Sequence, residues 1–409
     1  MTVVSQQAGS DHPIWRTPHA PRVAARATIA RALFLRTVHH LPLRVVLPNG
    51  AIAGRGDPDG PVMTIARDAF FHRLAAGGKI GFGEAYMAGD WAADDLAEAL
   101  GAFAARVDRL LPGPLQRLRG LYEPRIPAEQ RNTPTGAARN ISRHYDLSND
   151  LFATFLDPTM TYSAAVFEPG DTLEAAQVRK YETLCRMVDL RASDHLLEIG
   201  TGWGGFAMHA AATRGCRVTT ATISAEQAAL ARERIAAAGL SDRIDVILRD
   251  YRAIEGSYSK IVSIEMLEAV GEEYWPVFFA TCDRLLEPGG AMGLQTITMP
   301  HRRYLASRHA YSWIHKYIFP GGLIPSREAI DRSLRDASSL GVTHAAEIGH
   351  HYATTLRHWR SRFVEQRDRV HALGFDATFV RMWEFYLAYC EAGFATGAIG
   401  DAQLRLARP

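Results

Sequence analysis

The sequence predicts an α/β protein whose main part is a mostly parallel sheet covered by helices on both faces, with a smaller domain ahead of it. From Leu196 onward, short apolar runs alternate with stretches of helical periodicity, the pattern of a parallel sheet buried on both sides. The first run, Leu196, Leu197 and Ile199, stops at Gly200, Gly202, Gly204 and Gly205, and small and apolar residues resume at helical spacing from Phe206 to Ala212. That order reads as strand, tight turn and helix. A length of 409 residues with 47% hydrophobic residues can bury two cores or one large one.

Residues 1 to 20 hold Gly, Ser, Pro and His without periodicity and are expected to be disordered. From Arg22 to Leu43, arginines interleave with alanines and leucines, and no Asp or Glu occurs between His12 and Gly56. The segment reads either as a basic amphipathic helix lying on an anionic lipid surface or as an ordinary exposed helix face. Arg44 to Ala53 predicts two strands joined at Pro48-Asn49-Gly50. Ala69 to Trp91 predicts a helix stopped by Gly77-Gly78 and followed by a second one. Prolines 112, 114, 124, 127 and 134 place a linker near Tyr122 to Thr135, which divides the chain into an accessory domain over 21–125 and a catalytic domain over 126–409. After helices reaching Arg191, strands are expected at Leu196–Ile199, Arg217–Ile223, Arg243–Leu248, Lys260–Ile264 and Ala291–Thr298. Residues 299–328 interrupt this pattern with aromatic and basic residues. Such an insertion suits a helical lid, or a wall for an apolar chain with its Arg, His and Lys turned toward phosphate.

Composition narrows the function classes. No apolar run approaches the length of a membrane span and the start lacks the features of a signal peptide, so a cytoplasmic location is expected. Cys185, Cys216, Cys282 and Cys390 share no close spacing, and His301, His309 and His315 lack the spacing of ligands on one face; neither a disulfide framework nor a metal site is predicted. A net charge of +2 gives no reason to expect nucleic acid.

The glycine turn is the chemical signal. Glycines there permit positive φ and close approach of a ligand, and the helix that follows presents free N–H groups. Dinucleotide folds place a ribose-binding acid about 20 residues beyond such a turn. Here the second strand ends in Thr222 and Ser224 with no carboxylate before Glu226, whereas an acid, Glu198, precedes the turn. A carboxylate in that place suits a cationic ligand such as a methyl-sulfonium donor.

Taken together, E-I-G-T-G-W-G-G at 198–205, T-I-S-A-E-Q at 222–227, R-D-Y-R at 249–252, V-S-I-E-M-L-E-A-V-G at 262–271, R-H-Y-D-L-S-N-D-L-F at 143–152 and D-P-T-M-T-Y-S at 157–163 resemble the cyclopropane-fatty-acyl-phospholipid synthase family. The resemblance runs from about Asp57 to Leu404. It implies a Rossmann-like S-adenosylmethionine methyltransferase sheet, with the small amino-terminal domain serving lipid docking or self-association as a homodimer. It implies donor contacts from Tyr162, Ser163, Glu198, Gly200, Gly202, Trp203, Gly204, Thr222, Gln227, Asp250 and Tyr251: Glu198 and the turn amides for the amino-acid end, Thr222 and Gln227 for ribose, Asp250 for the adenine amine. It implies an unsaturated phospholipid as acceptor and an enzyme held peripherally at the inner face of the membrane.

The methylated chain is a cation that must lose a proton, so a base is needed. Cyclopropane-forming members hold bicarbonate with a Cys, a Glu, a His and a Tyr. Glu268 and Tyr352 match two of these, whereas Ala164 and Gln295 replace the thiol and the imidazole, which leaves bicarbonate use in doubt. Gln295 can still donate a hydrogen bond. Glu265, three residues before Glu268, either shares its function or points outward. Cys390 matches a position assigned to an active-site cysteine, although methyl transfer to an alkene needs no thiolate. Proton loss directly from the new methyl closes a cyclopropane; a hydride shift before proton loss leaves a methylene branch, and a separate reductase would then saturate it. The L-Q-T-I-T-M and Y-I-F-P-G-G-L-I-P-S runs look more like relatives that make methyl-branched acids of the tuberculostearic type, which favours the branch. A methyltransferase acting on a small N or O nucleophile and a donor-binding lipid protein without turnover are the alternatives.

Overall fold

The computed structural model describes residues 16–106, 125–130, 132–133, 136, 140 and 148–409. Most of the segment expected to be disordered, part of the proline-rich linker, and the R-H-Y-D-L run at 143–147 lie outside these residues. The chain forms two units, each with its own sheet.

The first unit takes residues up to Arg125 together with Ala310–Ile318 and Leu356–Ala398. The arginine-rich segment forms the helix Ala24–Val38. β1 (Arg44–Val46) and β2 (Ile52–Ala53) pair antiparallel across the Pro48-Asn49-Gly50 turn, where Gly50 has φ +80°. β3 (Val62–Ile65) and β4 (Trp91–Ala93) complete a sheet in the order β2-β1-β3-β4. Ala69–Met87 holds the two expected helices end to end, broken at Gly78, whose φ of +53° and ψ of −125° are not helical. A sheet of short strands has little apolar surface, and distant residues supply the rest. Phe385, on the helix Ala377–Ala395, packs against Tyr86 at 5.5 Å and Trp313 at 4.8 Å between ring centroids. An uninterrupted 126–409 domain is therefore not what forms. The aromatic and basic insertion is likewise divided. Its Lys316 pairs with Glu84 at 2.5 Å, and Tyr317 Oη donates to the same carboxylate at 2.8 Å. Arg308 pairs with Glu272 at 2.8 Å within the second unit. These cations neutralise the protein's own carboxylates, which is not the arrangement expected of residues turned toward phosphate.

The second unit holds a seven-stranded sheet in the order β10-β11-β9-β8-β5-β6-β7. β5 (His195–Ile199), β6 (Arg217–Thr222), β7 (Ile244–Leu248), β8 (Tyr258–Ile264) and β9 (Leu286–Thr298) run parallel, close to the expected segments. β10 (Gly341–Glu347) and β11 (Gly400–Ala407) were not expected; β11 pairs antiparallel with both β9 and β10. Phe278, Phe279, Leu285, Met292 and Leu404 form part of one core, and Phe206, Ala210, Ala231 and Val262 part of the other. Parallel strands with such cores on their faces leave the loops beyond their carboxyl ends as the place for a site.

Candidate active site

A cleft open to solvent lies beyond the carboxyl ends of β5, β6 and β8. Tyr162, Ser163, Glu198, Gly200, Gly202, Trp203, Thr222, Gln227, Asp250 and Tyr251 line it, as do Lys180 and Glu265. Gly200, Gly202 and Gly204 have φ of +104°, +51° and +85°, conformations that favour glycine. Gly204 itself does not line the cleft; it is the residue before the helix Gly205–Arg214, and a Cβ there would meet Ala231. Gly205 does line it, and a Cβ at Gly205 would fall 2.4 Å from Tyr181 Oη.

The D-L-F and T-Y-S motifs support this turn from the side. Trp203 is buried, and its Nε1 donates to Asn149 Oδ1 at 2.7 Å while its ring packs on Phe152, which meets Tyr162 edge-on. Thr222 Oγ1 donates to Gln227 Oε1 at 2.9 Å, so the two residues expected at a ribose are already joined. Both oxygens of Asp250 accept from Arg252, which holds its carboxyl below the usual range. Glu198 is buried and accepts from Thr220 Oγ1 at 2.5 Å; burial pushes its pKa up to about 8. A buried acid at a glycine cradle is a poor anion until a cation arrives, which is the fit expected for a sulfonium amino acid.

Carboxyl groups also gather at the edge of this cleft. Glu265 follows β8 with φ +49°, a left-handed backbone that costs a non-glycine residue about 1–3 kcal/mol and is found where function demands it. Its N–H donates to Gln295 O at 2.8 Å. Its carboxylate accepts from Ala164 N at 2.8 Å and Gln295 Nε2 at 2.9 Å on Oε1, and from Tyr352 Oη at 2.7 Å on Oε2. Glu268 Oε1 accepts from Thr296 Oγ1 and the Ile297 N–H, and Oε2 is buried without a hydrogen-bond partner. Burial, then the charge of Glu265, raises Glu268 to about 8, which favours its neutral form. Lys180 is buried beneath the cleft and donates from Nζ to Ser163 Oγ at 2.7 Å; burial lowers it to about 8 against the pull of Glu265, Asp157, Asp401 and Glu198.

Glu268, Gln295 and Tyr352 thus converge, with Glu265 as the carboxylate at which Gln295 and Tyr352 meet. Cys390 lies in the first unit, half-buried, its thiol pushed up to about 12 by burial. Sequence reasoning missed Lys180 and Asp401, and left open whether Glu265 shares the function of Glu268 or points outward; its carboxylate meets Ala164, Gln295 and Tyr352. The unusual acid pair in E-M-L-E was the available signal for Glu265. Among the described residues, no cluster of His, Cys, Asp or Glu is placed to hold a metal ion.

Comparison with known proteins gives the family. The sequence model of mycolic acid cyclopropane synthetase matches residues 132–404. The chain belongs to that family. It is an S-adenosylmethionine-dependent methyltransferase. Over its full length it is 47% identical to the tuberculostearic acid methyltransferase UfaA1 of Mycobacterium tuberculosis, of which 99% is covered. It is 35% identical to the cyclopropane-fatty-acyl-phospholipid synthase of Escherichia coli K12 over 80% of this chain and 82% of that one. Mycolic acid cyclopropane synthase CmaA1, whose crystal structure holds S-adenosylhomocysteine and CTAB, superposes with a TM-score of 0.61 at 31% identity over 66% of this chain and 97% of that one.

For this cyclopropane synthetase relative, Glu198 sets function against stability. Its folded pKa lies above its unfolded value, so between about pH 4.5 and 8 the folded state keeps a proton that the unfolded state loses, and stability falls as pH rises. Glu198→Gln should raise the Tm of the ligand-free protein at pH 7.5, with the gain vanishing near pH 5, and should weaken S-adenosylhomocysteine binding by about tenfold or more. Scanning fluorimetry and titration calorimetry check both; an unchanged affinity would remove Glu198 from the donor site.

Proposed function

We propose that the chain transfers the methyl group of S-adenosylmethionine to a double bond in the acyl chain of a phospholipid, that Glu265 takes up the released proton, and that the product carries a methylene branch. When bound, S-adenosylmethionine supplies a methyl group on a cationic sulfur. The residues around it must hold the alkene in line and provide a base beside the cation that forms.

One observation carries the assignment of the base. The positions that resemble a bicarbonate site are Ala164, Glu268, Gln295 and Tyr352, and the backbone or side chain of three of these donates to Glu265. A tethered carboxylate therefore has the hydrogen bonds that an exchangeable anion would need. This also accounts for the departures at Ala164 and Gln295: a main-chain N–H and an amide suffice once the anion belongs to the protein. Gln295 Oε1 accepts from Gln403 Nε2 at 3.0 Å, which turns the amide N–H groups toward Glu265.

The proton count closes with no further reagent. Methyl transfer places a cation on the neighbouring carbon, a hydride shift moves it to the carbon that bears the new methyl, and Glu265 takes one proton from that methyl to leave a C=CH2 group. Proton loss before the shift would close a ring instead. The full-length similarity to a protein named for tuberculostearic acid supports the branched outcome, and a separate reductase would saturate the branch.

The acceptor chain has to be reached from a lipid surface, and the helix Ala24–Val38 suits that task. Ile29 and Leu33 are 62% and 50% exposed, between exposed Arg26 and Arg36 on the same stripe. Apolar side chains flanked by arginines fit an anionic membrane. Among the described residues, no helix is long and apolar enough to cross one.

Purified protein given methyl-labelled donor and vesicles of oleoyl phosphatidylglycerol should label the acyl chain, and proton NMR of the released acid should show vinylidene hydrogens. Cyclopropane signals would overturn the branch, and label absent from the acyl chain would overturn the acceptor. Glu265→Gln should lower kcat by about 10² to 10⁴ with donor affinity retained, whereas Glu265→Gly should recover part of the rate when bicarbonate is added. Wild-type activity that itself requires bicarbonate would contradict a tethered base. For the lipid surface, Ile29→Glu with Leu33→Glu should cut co-sedimentation with the same vesicles by about tenfold; undiminished binding would place the contact elsewhere.

A further inference from the structure

Asp401 is an acid that the role given to Glu265 does not explain. It sits on β11 opposite Ile297 of β9, and its side chain is wholly buried. Its Oδ2 lies 3.4 Å from Gln295 Nε2, the same nitrogen that donates to Glu265 Oε1 at 2.9 Å and approaches Ala164 O at 3.3 Å. One amide nitrogen carries two hydrogens, so it cannot serve three acceptors fully. Asp401 Oδ1 is buried with no hydrogen-bond partner. A charged carboxylate with a bare oxygen in such a place costs several kcal/mol, whereas a protonated one avoids that cost and gains a donor.

We propose that Asp401 is a positioning acid: it keeps its proton throughout the cycle and, together with the amide of Gln295, holds Glu265 as the charged member of a carboxyl pair with one negative charge. The proposal rests on Glu265 being the base. The groups that act on Asp401 are Glu265 and Glu268 from the segment after β8 and Lys180 from the helix Leu173–Met187. Burial first, then the charge of Glu265 and a hydrogen bond shared with it, hold the Asp401 carboxyl well above its usual range, and Lys180 opposes them. In the reaction Glu265 gains a proton from the methylated chain and returns it to solvent as product leaves. Asp401 gains and loses none, and serves by fixing the oxygen that does.

The test uses the full-length protein. Asp401→Asn keeps the shape, the neutrality and an N–H donor, and should retain kcat within about threefold; Asp401→Leu removes the donor and should lower kcat by about tenfold to a hundredfold with both KM values unchanged. Infrared spectra of the ligand-free protein at pH 7 should show one protonated-carboxyl band fewer in Asp401→Asn than in wild type. A variant Asn enzyme as impaired as the Leu enzyme, or an unchanged band, overturns the proposal. The Asn variant and the infrared reading decide the matter even if the Leu variant fails to fold. A wild-type protein that methylates no acyl chain sinks the function proposed above, while the spectrum, which needs no substrate, still decides whether Asp401 holds a proton.

Discussion

Confining several carboxyl groups and one lysine at the dry end of a parallel sheet is the constraint from which the rest of the site follows. Like charges that close cannot all be ionised away from water, so the structure must decide which acid carries the charge. Hydrogen-bond donors make that decision. Glu265 receives three of them, Glu268 keeps an oxygen bare, Asp401 shares a single amide, and Glu198 relies on one hydroxyl. Lys180 lies among them and answers to four acids at once, so it offsets their charge without belonging to any one of them. Glu198 at the glycine turn and Glu265, the proposed base, thus act on the same lysine.

The sheet positions that system by simple means. β5, β6 and β8 end together, the glycine turn bends away from β5, and Glu265 leaves β8 through a left-handed residue that aims its carboxylate at β9. Gln295 is both the β9 residue whose carbonyl accepts from Glu265 and the side chain that donates to it. Backbone register therefore fixes the distance between base and amide more firmly than side-chain packing would. The first unit solves a different problem. Its four short strands would be marginal alone, and Phe385 and Trp313, far away in the chain, supply the aromatic surface they need.

Much of this was legible in the residues. The strands of the parallel sheet read correctly because each is rich in apolar or β-branched residues and bounded by turn residues, and the glycine turn with its preceding Glu198 marked the cleft. Departures at Ala164 and Gln295 also marked the anion site as altered. The carboxylate proposed to stand in for the anion was not legible, because no sequence rule places a glutamate in a left-handed conformation. Asp401 and Gln403 escaped notice for another reason: Ala402, Leu404 and Leu406 alternate with Asp401, Gln403 and Arg405, the pattern of a strand with one face in solvent, whereas Asp401 and Gln403 are buried too. The sequence reading assigns nothing to the helix Ala377–Ala395, and the unit it joins depends on contacts that only the folded chain makes.

The place of β11 in the sheet bears on how the enzyme assembles. That strand is inserted between β9 and β10, and β10 has no other neighbour, so the two arrive as a hairpin-like edge after the five parallel strands can already have formed. Of the strands, only β5, β6, β7 and β8 lead into the cleft, whereas the Gln295 amide that donates to Glu265 is itself braced by Gln403 across more than a hundred residues. A growing chain would thus acquire the ability to hold its cosubstrate well before it could act on anything, and chemistry would be switched on by the last strand to dock.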